Sequence, residues 1–444
     1  MLKWEIRYLR LKSTICVVAA GLLWAPGIFA AHISTRPNTN KTKTTKLSES
    51  QRTRRRMRHL AKGRSTAHAS LTASLTTSPT TSLTKIATNN STLGTTSSLS
   101  SSRASSSRFK HRYHERFYMS SFAEGIAAGD LTEGEDPVVR QAAIDALGNM
   151  NGTVVAIEPT SGRVLAMVNQ KLALSSGAQP CSTIKLSVAL AALNEGLISR
   201  DTEVPLGGRS RMNLTEALAH SNNAYFEALG RKLGFEKVAY YAHQYGLGEL
   251  AGYDIPGEQS GTYPEEVIPQ KLGGVGKMCS FGEGISMTPL QLGAMVSAIA
   301  NGGTLYYLQH PTTPEEITNF QPRIKRQLDI APLIPEIAVG MAGAVQYGTA
   351  RRLGLNFSEE EILGKTGTCS HDGTRFGWFA SYANTNSARI VVVVFLEGGR
   401  PTFGPKAAEI AGVMYRSLYD HKFFLAGAPN PVDATASNPA GSAP

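Results

Sequence analysis

The feature that most limits what this chain can fold into is a long tract with almost nothing to bury. From about Ser34 to Arg112 the sequence runs through "RTRRRMRHLAKGR", then "SLTASLTTSPTTSLTK" and "SSLSSSRASSSR". Such a segment offers too little apolar surface to offset the entropy lost on ordering a chain. It reads as a disordered, basic, Ser/Thr-rich linker. A packed core must come from the residues C-terminal to it. The 444 residues would otherwise allow two or three domains; with the tract set aside, about 310 remain for the folded part.

Charge follows the same division. Residues 1–114 carry 20 Lys/Arg and 2 Asp/Glu, so they hold +18 while the whole chain is +11 and the remainder is −7. The basic balance belongs to the front of the chain, and it gives no ground for a nucleic-acid partner. Residues Arg52–Arg64 read as a solvated basic tail, or as a patch drawn to anionic lipid or acidic wall polymer. Ahead of them, Lys3, Arg7, Arg10 and Lys12 precede an apolar run from Ile15 to about Ile33. Residues 1–33 are therefore expected to be either an uncleaved signal anchor or a signal peptide cut after Ala30 or Ala31. In both of these readings the basic head stays cytoplasmic and the rest of the chain is exported; a buried core helix is the third reading of the apolar run.

Order is expected from residue 116 to about 428, with a disordered Pro/Ala/Ser tail over 429–444. "DPVVRQAAIDALGN" predicts a helix over Asp136–Asn149, capped by Asp136 with Pro137 in its first turn. Val154–Glu158 and Val164–Asn169 predict a hairpin around Pro159–Gly162. Helical periodicity covers Ser182–Glu195, Leu214–Gly230, Glu236–Tyr245 and Pro289–Asn301. Strands return at Ile362–Cys369, Gly377–Tyr382 and Ile390–Glu397. A final helix, Lys406–Tyr419, is expected to pack Ile410, Val413, Met414 and Leu418. Strands flanking a helical middle predict one sheet, built from the first hairpin and the last three strands, with helices on both faces.

Inside the first of the middle helices lies a costly residue. In "GAQPCSTIKLSVALAALNEG" Lys185 interrupts an apolar face one turn after Ser182. Side chains at i and i+3 share a helix face. A serine hydroxyl is inert until a base takes its proton, and a lysine made neutral by burial is such a base. The same spacing also fits a helix cap followed by a snorkelling lysine. The linker itself contains two such spacings, "SLTK" at Ser82 and "SRFK" at Ser107. Further on, "ALAHSNNAYFEALG" places Ser221 and Asn223 where one helical segment gives way to another. These residues fit a proton relay and an amide contact, or a helix cap. "ILGKTGTCS" places Lys365, Thr366, Gly367 and Thr368 on a strand. There a lysine and two hydroxyls can hold a carboxylate and a glycine permits close backbone approach, although a plain strand end is also compatible.

The three elements together, S-x-x-K, S-x-N and K-T-G in this order, resemble the transpeptidase domain of penicillin-binding proteins. The resemblance runs from about Asp136 to Tyr419. It includes "GTVVAIEPTSGRVLAMV" and "FGEGISMTPLQLGAMVSAIANGG" (Phe281–Gly303), which is similar to the family's G-x-G-x-x-x-T-P-L-Q helix start. It implies an α/β fold with a mainly antiparallel central sheet, flanking helices and an all-helical subdomain. It implies Ser182 as acylated nucleophile, Lys185 as base and Ser221 as relay. Asn223, Lys365, Thr366, Gly367 and Thr368 would bind substrate, with the N–H groups of Ser182 and Thr368 as oxyanion hole.

The activity implied is that of a monofunctional, class B-like serine D,D-transpeptidase. It would cross-link peptidoglycan stem peptides, be acylated by β-lactams, and act beside a separate glycosyltransferase, since no fused one fits the length. The catalytic domain would lie outside the inner membrane, in the periplasm or an equivalent space. No cofactor and no metal are called for. A D,D-carboxypeptidase or β-lactamase would use the same residues with water as acceptor. Glu258, Glu265 and Glu266 are the carboxylates near a loop that a hydrolase of the class A kind would draw on. A β-lactam sensor or a non-catalytic wall scaffold are the readings without turnover.

Two cysteines depart from the family pattern. Cys181 stands where the family usually has glycine, and Cys369 directly follows K-T-G-T. If the N–H groups of Ser182 and Thr368 converge on one oxygen, as the resemblance implies, two outcomes are open. The cysteines either come within disulfide range or remain two small buried thiols pointing apart.

Overall fold

A computed structural model of the chain describes residues 116–385 and 389–425. The expected membrane segment (1–33), linker (34–115) and tail (429–444) lie outside the described residues. No helix among the described residues is long and apolar enough to cross a membrane.

The first helix, α1 (Pro137–Leu147), begins as the sequence predicts. The Asp136 carboxylate accepts hydrogen bonds from the N–H groups of Val138 and Val139 at 2.9 and 3.0 Å, which satisfies two of the donors a helix start leaves open. It ends before the predicted Asn149, because Gly148 turns to a φ of +56°.

Five strands form one antiparallel sheet: β1 (Gly152–Glu158), β2 (Arg163–Val168), β3 (Ile362–His371), β4 (Thr374–Ala383) and β5 (Val391–Gly398), in the order β2-β1-β5-β4-β3. The first hairpin and the last three strands make this sheet, as expected. The β3–β4 hairpin extends beyond the predicted strand ends. His371 pairs with Thr374 across Asp372 and Gly373, whose φ values are +47° and +73°. Asp-Gly at a two-residue hairpin tip is a strong turn signal because both positions need positive φ.

Alternate side chains of each strand enter different cores. Val155 and Ile157 of β1, with Val391, Val393 and Phe395 of β5, join the core under the helical part of the molecule. Val154 and Ala156, with Val392, Val394 and Leu396, join the core beneath α1 and the last helix. "VVVVFL" therefore reads as a continuous apolar run, although its pairing is antiparallel, because both faces of the sheet are covered.

The longer helices between the strands are α2 (Lys185–Asn194), α3 (Leu214–Ala219), α4 (Asn223–Leu233), α5 (Phe235–Gln244), α6 (Gly274–Phe281), α7 (Pro289–Asn301) and α8 (Ile334–Gln346). Thr288 and Gln291 form a reciprocal capping box at the start of α7. A side chain at Gly293 would approach the Ile157 Cδ1 atom to 2.5 Å, so glycine there is what lets α7 lie close on the sheet. The last helix, α9 (Gly404–Asp420), buries Ile410, Met414 and Leu418. Val413 is not among them: it is 37% exposed, and Ala407, Ala411 and Tyr415 complete the buried stripe instead. Two small two-stranded antiparallel sheets, the hairpin of Val204–Gly207 with Ser210–Met212 and the longer-range pair of Thr304–Tyr306 with Ile324–Gln327, sit among the helices.

Candidate active site

The chain enters α2 through a tight turn. Pro180 is followed by one turn of 3-10 helix, Cys181–Ile184, and the α-helix proper starts at Lys185. Ser182 is therefore in the turn before the helix, not its first residue. It is not a cap, since the hydroxyl bonding back onto this turn is that of Thr183, which donates to the Pro180 carbonyl at 2.6 Å. The Ser182 Oγ atom instead lies 2.9 Å from the Lys185 Nζ atom. Cys181 has a φ of +52°, a left-handed conformation disfavoured for any residue with a side chain. That is the physical sense of a glycine at this position.

The predicted Leu214–Gly230 helix is two helices. They meet at Ser221, which has a φ of +55°. The side chain of Asn222, not that of Ser221 or Asn223, caps α4 by accepting from the Tyr225 N–H at 3.0 Å. The hinge conformation turns the Ser221 carbonyl to 2.7 Å and its hydroxyl to 3.1 Å from the Lys185 Nζ atom, and the Asn223 Oδ1 atom also lies at 2.7 Å.

Strand β3 forms the other wall. Lys365 is fully buried and donates to the Ser221 Oγ atom at 2.8 Å and to the Thr366 carbonyl at 3.0 Å. A side chain at Gly367 would come within 2.9 Å of the Pro180 carbonyl, so glycine here answers to close approach of strand and turn. The hydroxyls of Thr366 and Thr368 point to the opposite side of the strand from Lys365. Thr366 is bonded to the Thr349 hydroxyl at 2.7 Å, and Thr368 accepts from the Gly404 N–H at 2.8 Å. Ser182, Lys185, Ser221, Asn223 and Lys365 are thus joined in one cluster drawn from a turn, a hinge and an edge strand, with Gly367 packed on the turn and the Thr366 and Thr368 hydroxyls on the far side of the strand.

Lys185 is completely shielded from solvent. Burial and then the nearby charge of Lys365 push its pKa down to about 6, against a smaller opposing pull from Glu227. Burial lowers Lys365 to about 7. Near neutrality Lys185 is thus mainly a neutral amine, with two hydrogens and one lone pair. Its two shortest contacts, the Ser221 carbonyl and Asn223 Oδ1, accept only, so they take the two hydrogens. The lone pair is left for the hydroxyls, of which Ser182 is the nearer. This arrangement can withdraw a proton from Ser182.

Cys181 and Cys369 are joined in a disulfide, with Cα atoms 5.5 Å apart and 188 positions of sequence between them. Of the two outcomes left open by the sequence, the bonded one holds, and the reading as separate thiols does not. The bond ties the turn before Ser182 to the strand position after Thr368. Cys279 is a free, buried thiol.

A family model described as penicillin binding protein transpeptidase domain matches residues 152–416. The chain belongs to the penicillin-binding protein transpeptidase family. It is 29% identical over 316 residues to stage V sporulation protein D of Bacillus subtilis, covering 59% of this chain and 48% of that protein. It is 24% identical over 361 residues to the peptidoglycan D,D-transpeptidase MrdA of Acinetobacter baumannii, covering 64% and 52%. The chain spans about half the length of these curated relatives. The D,D-transpeptidase domain of a peptidoglycan glycosyltransferase from Eggerthella lenta shares the fold at a TM-score of 0.52 and 20% identity, covering 65% of this chain and 82% of that one. Pseudomonas aeruginosa PBP2, solved in complex with WCK 5153, does so at 0.53 and 24% identity, covering 65% and 74%.

Within the family frame, three residues around the site escape motif reading. Thr349 bonds Thr366 through its hydroxyl and donates its N–H to the Ala219 carbonyl at 3.1 Å, so it links the strand to the end of α3. Trp378 of β4 donates its indole N–H to the Gln179 carbonyl at 3.0 Å and holds the approach to Ser182 against the sheet. Asn222 frees its neighbours from capping. A middle asparagine in S-N-N is the only one of these that carries a sequence signal, as a helix-cap residue. The loop carboxylates do not join the cluster: Glu258 accepts from the N–H groups of Ala251 and Gly252, and Glu265 and Glu266 are exposed. Among the described residues no group of three or more His, Cys, Asp or Glu is placed to hold a metal ion.

Proposed function

We propose that this chain is a monofunctional peptidoglycan D,D-transpeptidase that carries stem-peptide acyl groups on Ser182 and is acylated there by β-lactams. The observation that supports this best is the Lys185 amine, desolvated, with both hydrogens committed and its lone pair free for Ser182. In the first half-reaction Lys185 takes the Ser182 proton as Oγ bonds to the penultimate D-alanine carbonyl carbon. The peptide C–N bond then breaks, and the proton passes through Ser221 to the departing D-alanine amine. In the second, the amine of another strand attacks the ester, its proton returns along the same path, and Ser182 is regenerated. The N–H groups of Ser182 and Thr368 would hold the oxyanion. The charge of Lys365 would draw the substrate carboxylate to the edge of strand β3, along which Thr366 and Thr368 lie. Asn223 would hold Lys185 and the substrate amide together. No cofactor enters these steps.

A basic, apolar start followed by a linker supports an exported domain spanning about residues 116–428 and tethered to the inner membrane, working with a separate glycosyltransferase. The Cys181–Cys369 bond agrees with an oxidising, extracytoplasmic compartment. The occupied Glu258 weighs against a hydrolase of the class A kind. The test is to incubate the protein with a fluorescent penicillin and follow the adduct. A long-lived adduct on Ser182, together with dimer formation from a peptide donor and an amine acceptor, supports the transpeptidase. Rapid release with only hydrolysed product would replace it with a carboxypeptidase or β-lactamase.

A further inference from the structure

Two chain segments meet beside Ser221, and each carries a ring to the solvent. One is the end of α3, where His220 directly precedes Ser221; consecutive Cα atoms lie about 3.8 Å apart. The other is the loop after α8. A side chain at Gly348 would come within 2.1 Å of the Ala219 carbonyl, and the Thr349 N–H donates to that carbonyl at 3.1 Å, so the loop lies directly on the end of α3. Thr349 in turn bonds Thr366, the neighbour of Lys365. The two rings are those of His220 and Tyr347, with centres 5.7 Å apart.

Glu216 joins them. It lies one turn before His220 on α3, with its Oε2 atom 3.2 Å from the His220 Nε2 atom, and its Oε1 atom accepts from the Tyr347 hydroxyl at 3.0 Å. A carboxylate at Nε2 favours the proton on that nitrogen. The Nδ1 atom, which has no hydrogen-bond partner among the described residues, then carries the free lone pair. Burial, and then the bond to Glu216, raise the Tyr347 pKa, so the phenol stays a donor and holds Glu216 in place. The side chains of His220 and Glu216 are about half exposed, which opens the imidazole to solvent.

The second half-reaction needs a base at this point. An acceptor amine arrives as an ammonium: near pH 7 only about one molecule in 2,500 is neutral when the pKa is about 10.4. It must lose two protons to become an amide. One returns through Ser221 and Lys185 to the Ser182 oxygen as the ester C–O bond breaks. The other has no taker on that path, because the Lys185 lone pair is occupied by the first. The acceptor nitrogen enters where the D-alanine nitrogen left, beside Ser221, since the two half-reactions mirror each other. We propose that His220, oriented by Glu216, takes this second proton on Nδ1 before the nitrogen attacks and passes it to solvent. The proposal rests on the transpeptidase reading above, because it takes an amine as the acceptor. It adds a catalytic residue outside the three motifs.

The experiment uses the full-length protein, a synthetic donor ending in D-alanyl-D-lactate, and two acceptor peptides of equal length. One acceptor carries a lysine amine; the other carries an aminooxy group, which is already unprotonated near pH 7. Initial rates of cross-linked product at pH 7 are read by mass spectrometry, and the amine rate is divided by the aminooxy rate within each protein. In His220→Gln this ratio should fall by about tenfold or more. In Glu216→Gln it should fall by a smaller factor. A merely structural role would slow both acceptors alike and leave the ratio where it was. A ratio unmoved in His220→Gln overturns the proposal, and one unmoved in Glu216→Gln overturns the part given to Glu216. Benzylpenicillin on the wild-type protein separates the two levels. If it fails to acylate Ser182, the transpeptidase reading itself falls; if it acylates and the ratio is unmoved, only the role of His220 does.

Discussion

Replacing Lys365 by methionine should move the pH dependence of acylation in a direction that a purely structural Lys365 would not. Both ammonium groups contact the Ser221 hydroxyl, at 3.1 and 2.8 Å, so their nitrogen atoms are at most about 6 Å apart. At that distance two unit charges repel by about 3 kcal/mol for an effective dielectric constant near 20. That is roughly two pKa units, and it acts on Lys185 in addition to burial. The sign depends on which form is active. In the wild-type protein the rate should fall on the acid side near pH 6, where Lys185 becomes protonated and can no longer accept the Ser182 proton. It should also fall on the alkaline side near pH 7, where Lys365 loses the charge that attracts a substrate carboxylate. Lys365→Met keeps the buried volume and removes the repulsion. The acid limb should therefore rise by roughly one to two units, and the alkaline limb near 7 should vanish. The assay is the second-order rate constant for a fluorescent penicillin across pH, with a thermal melt to check the fold. An acid limb that stays near 6 in the variant, or moves lower, would refute the coupling and with it the assignment of Lys185 as the titrating base.

Other substitutions test the remaining parts. Ser182→Ala and Lys185→Ala should each cut penicillin acylation by roughly a thousandfold or more while the melting transition persists; near-normal acylation in Lys185→Ala would leave Lys185 without a catalytic role. Deleting residues 34–112 should leave acylation by the purified protein unchanged, as measured by the same rate constant, because the sequence of that tract offers almost nothing apolar to bury. Cys369→Ser should lower the denaturant midpoint, since the bond closes a loop of 188 positions that chain-entropy arguments value at about 5 kcal/mol at most. Adding Cys181→Gly to Cys369→Ser should restore about 1 kcal/mol by relieving the left-handed backbone at position 181.

The sheet was legible because its strands carry strong local signals. "VVVVFL" in β5 and the turn-bounded pair β1 and β2 need no tertiary context to read as strands. The site was legible as three motifs, and the structure brings the three segments together, with the Thr366 and Thr368 hydroxyls on the far side of their strand. What the sequence hid depends on backbone conformation at single residues. Ser221 and Cys181 both take positive φ without being glycine, which no propensity anticipates. The first splits a predicted helix in two, and the second delays the start of α2 until Lys185. Thr349 and Trp378 are long-range partners whose sequence positions carry no trace of what they touch. Asp372-Gly373 does carry a local turn signal, but the K-T-G-T motif draws the predicted strand end back to Cys369. Val413 is misplaced for another reason: a helical stripe rich in alanine leaves hydrophobic spacing ambiguous by one position, and Ala411 and Tyr415 take the inner face.

The hinge at Ser221 and the strand at Lys365 are 144 positions apart, and Ser182 belongs to neither. Each of the three segments can reach its own local structure early, yet none holds any chemistry alone. Contacts of such long sequence separation are the slow ones to form, because the intervening chain must be closed before they repay its entropy. Competence to react is therefore a property that arrives last along the folding path. A newly made chain would pass through a state with an intact sheet and formed helices in which Ser182 is an ordinary alcohol, and a β-lactam encountering that state would find no nucleophile to trap.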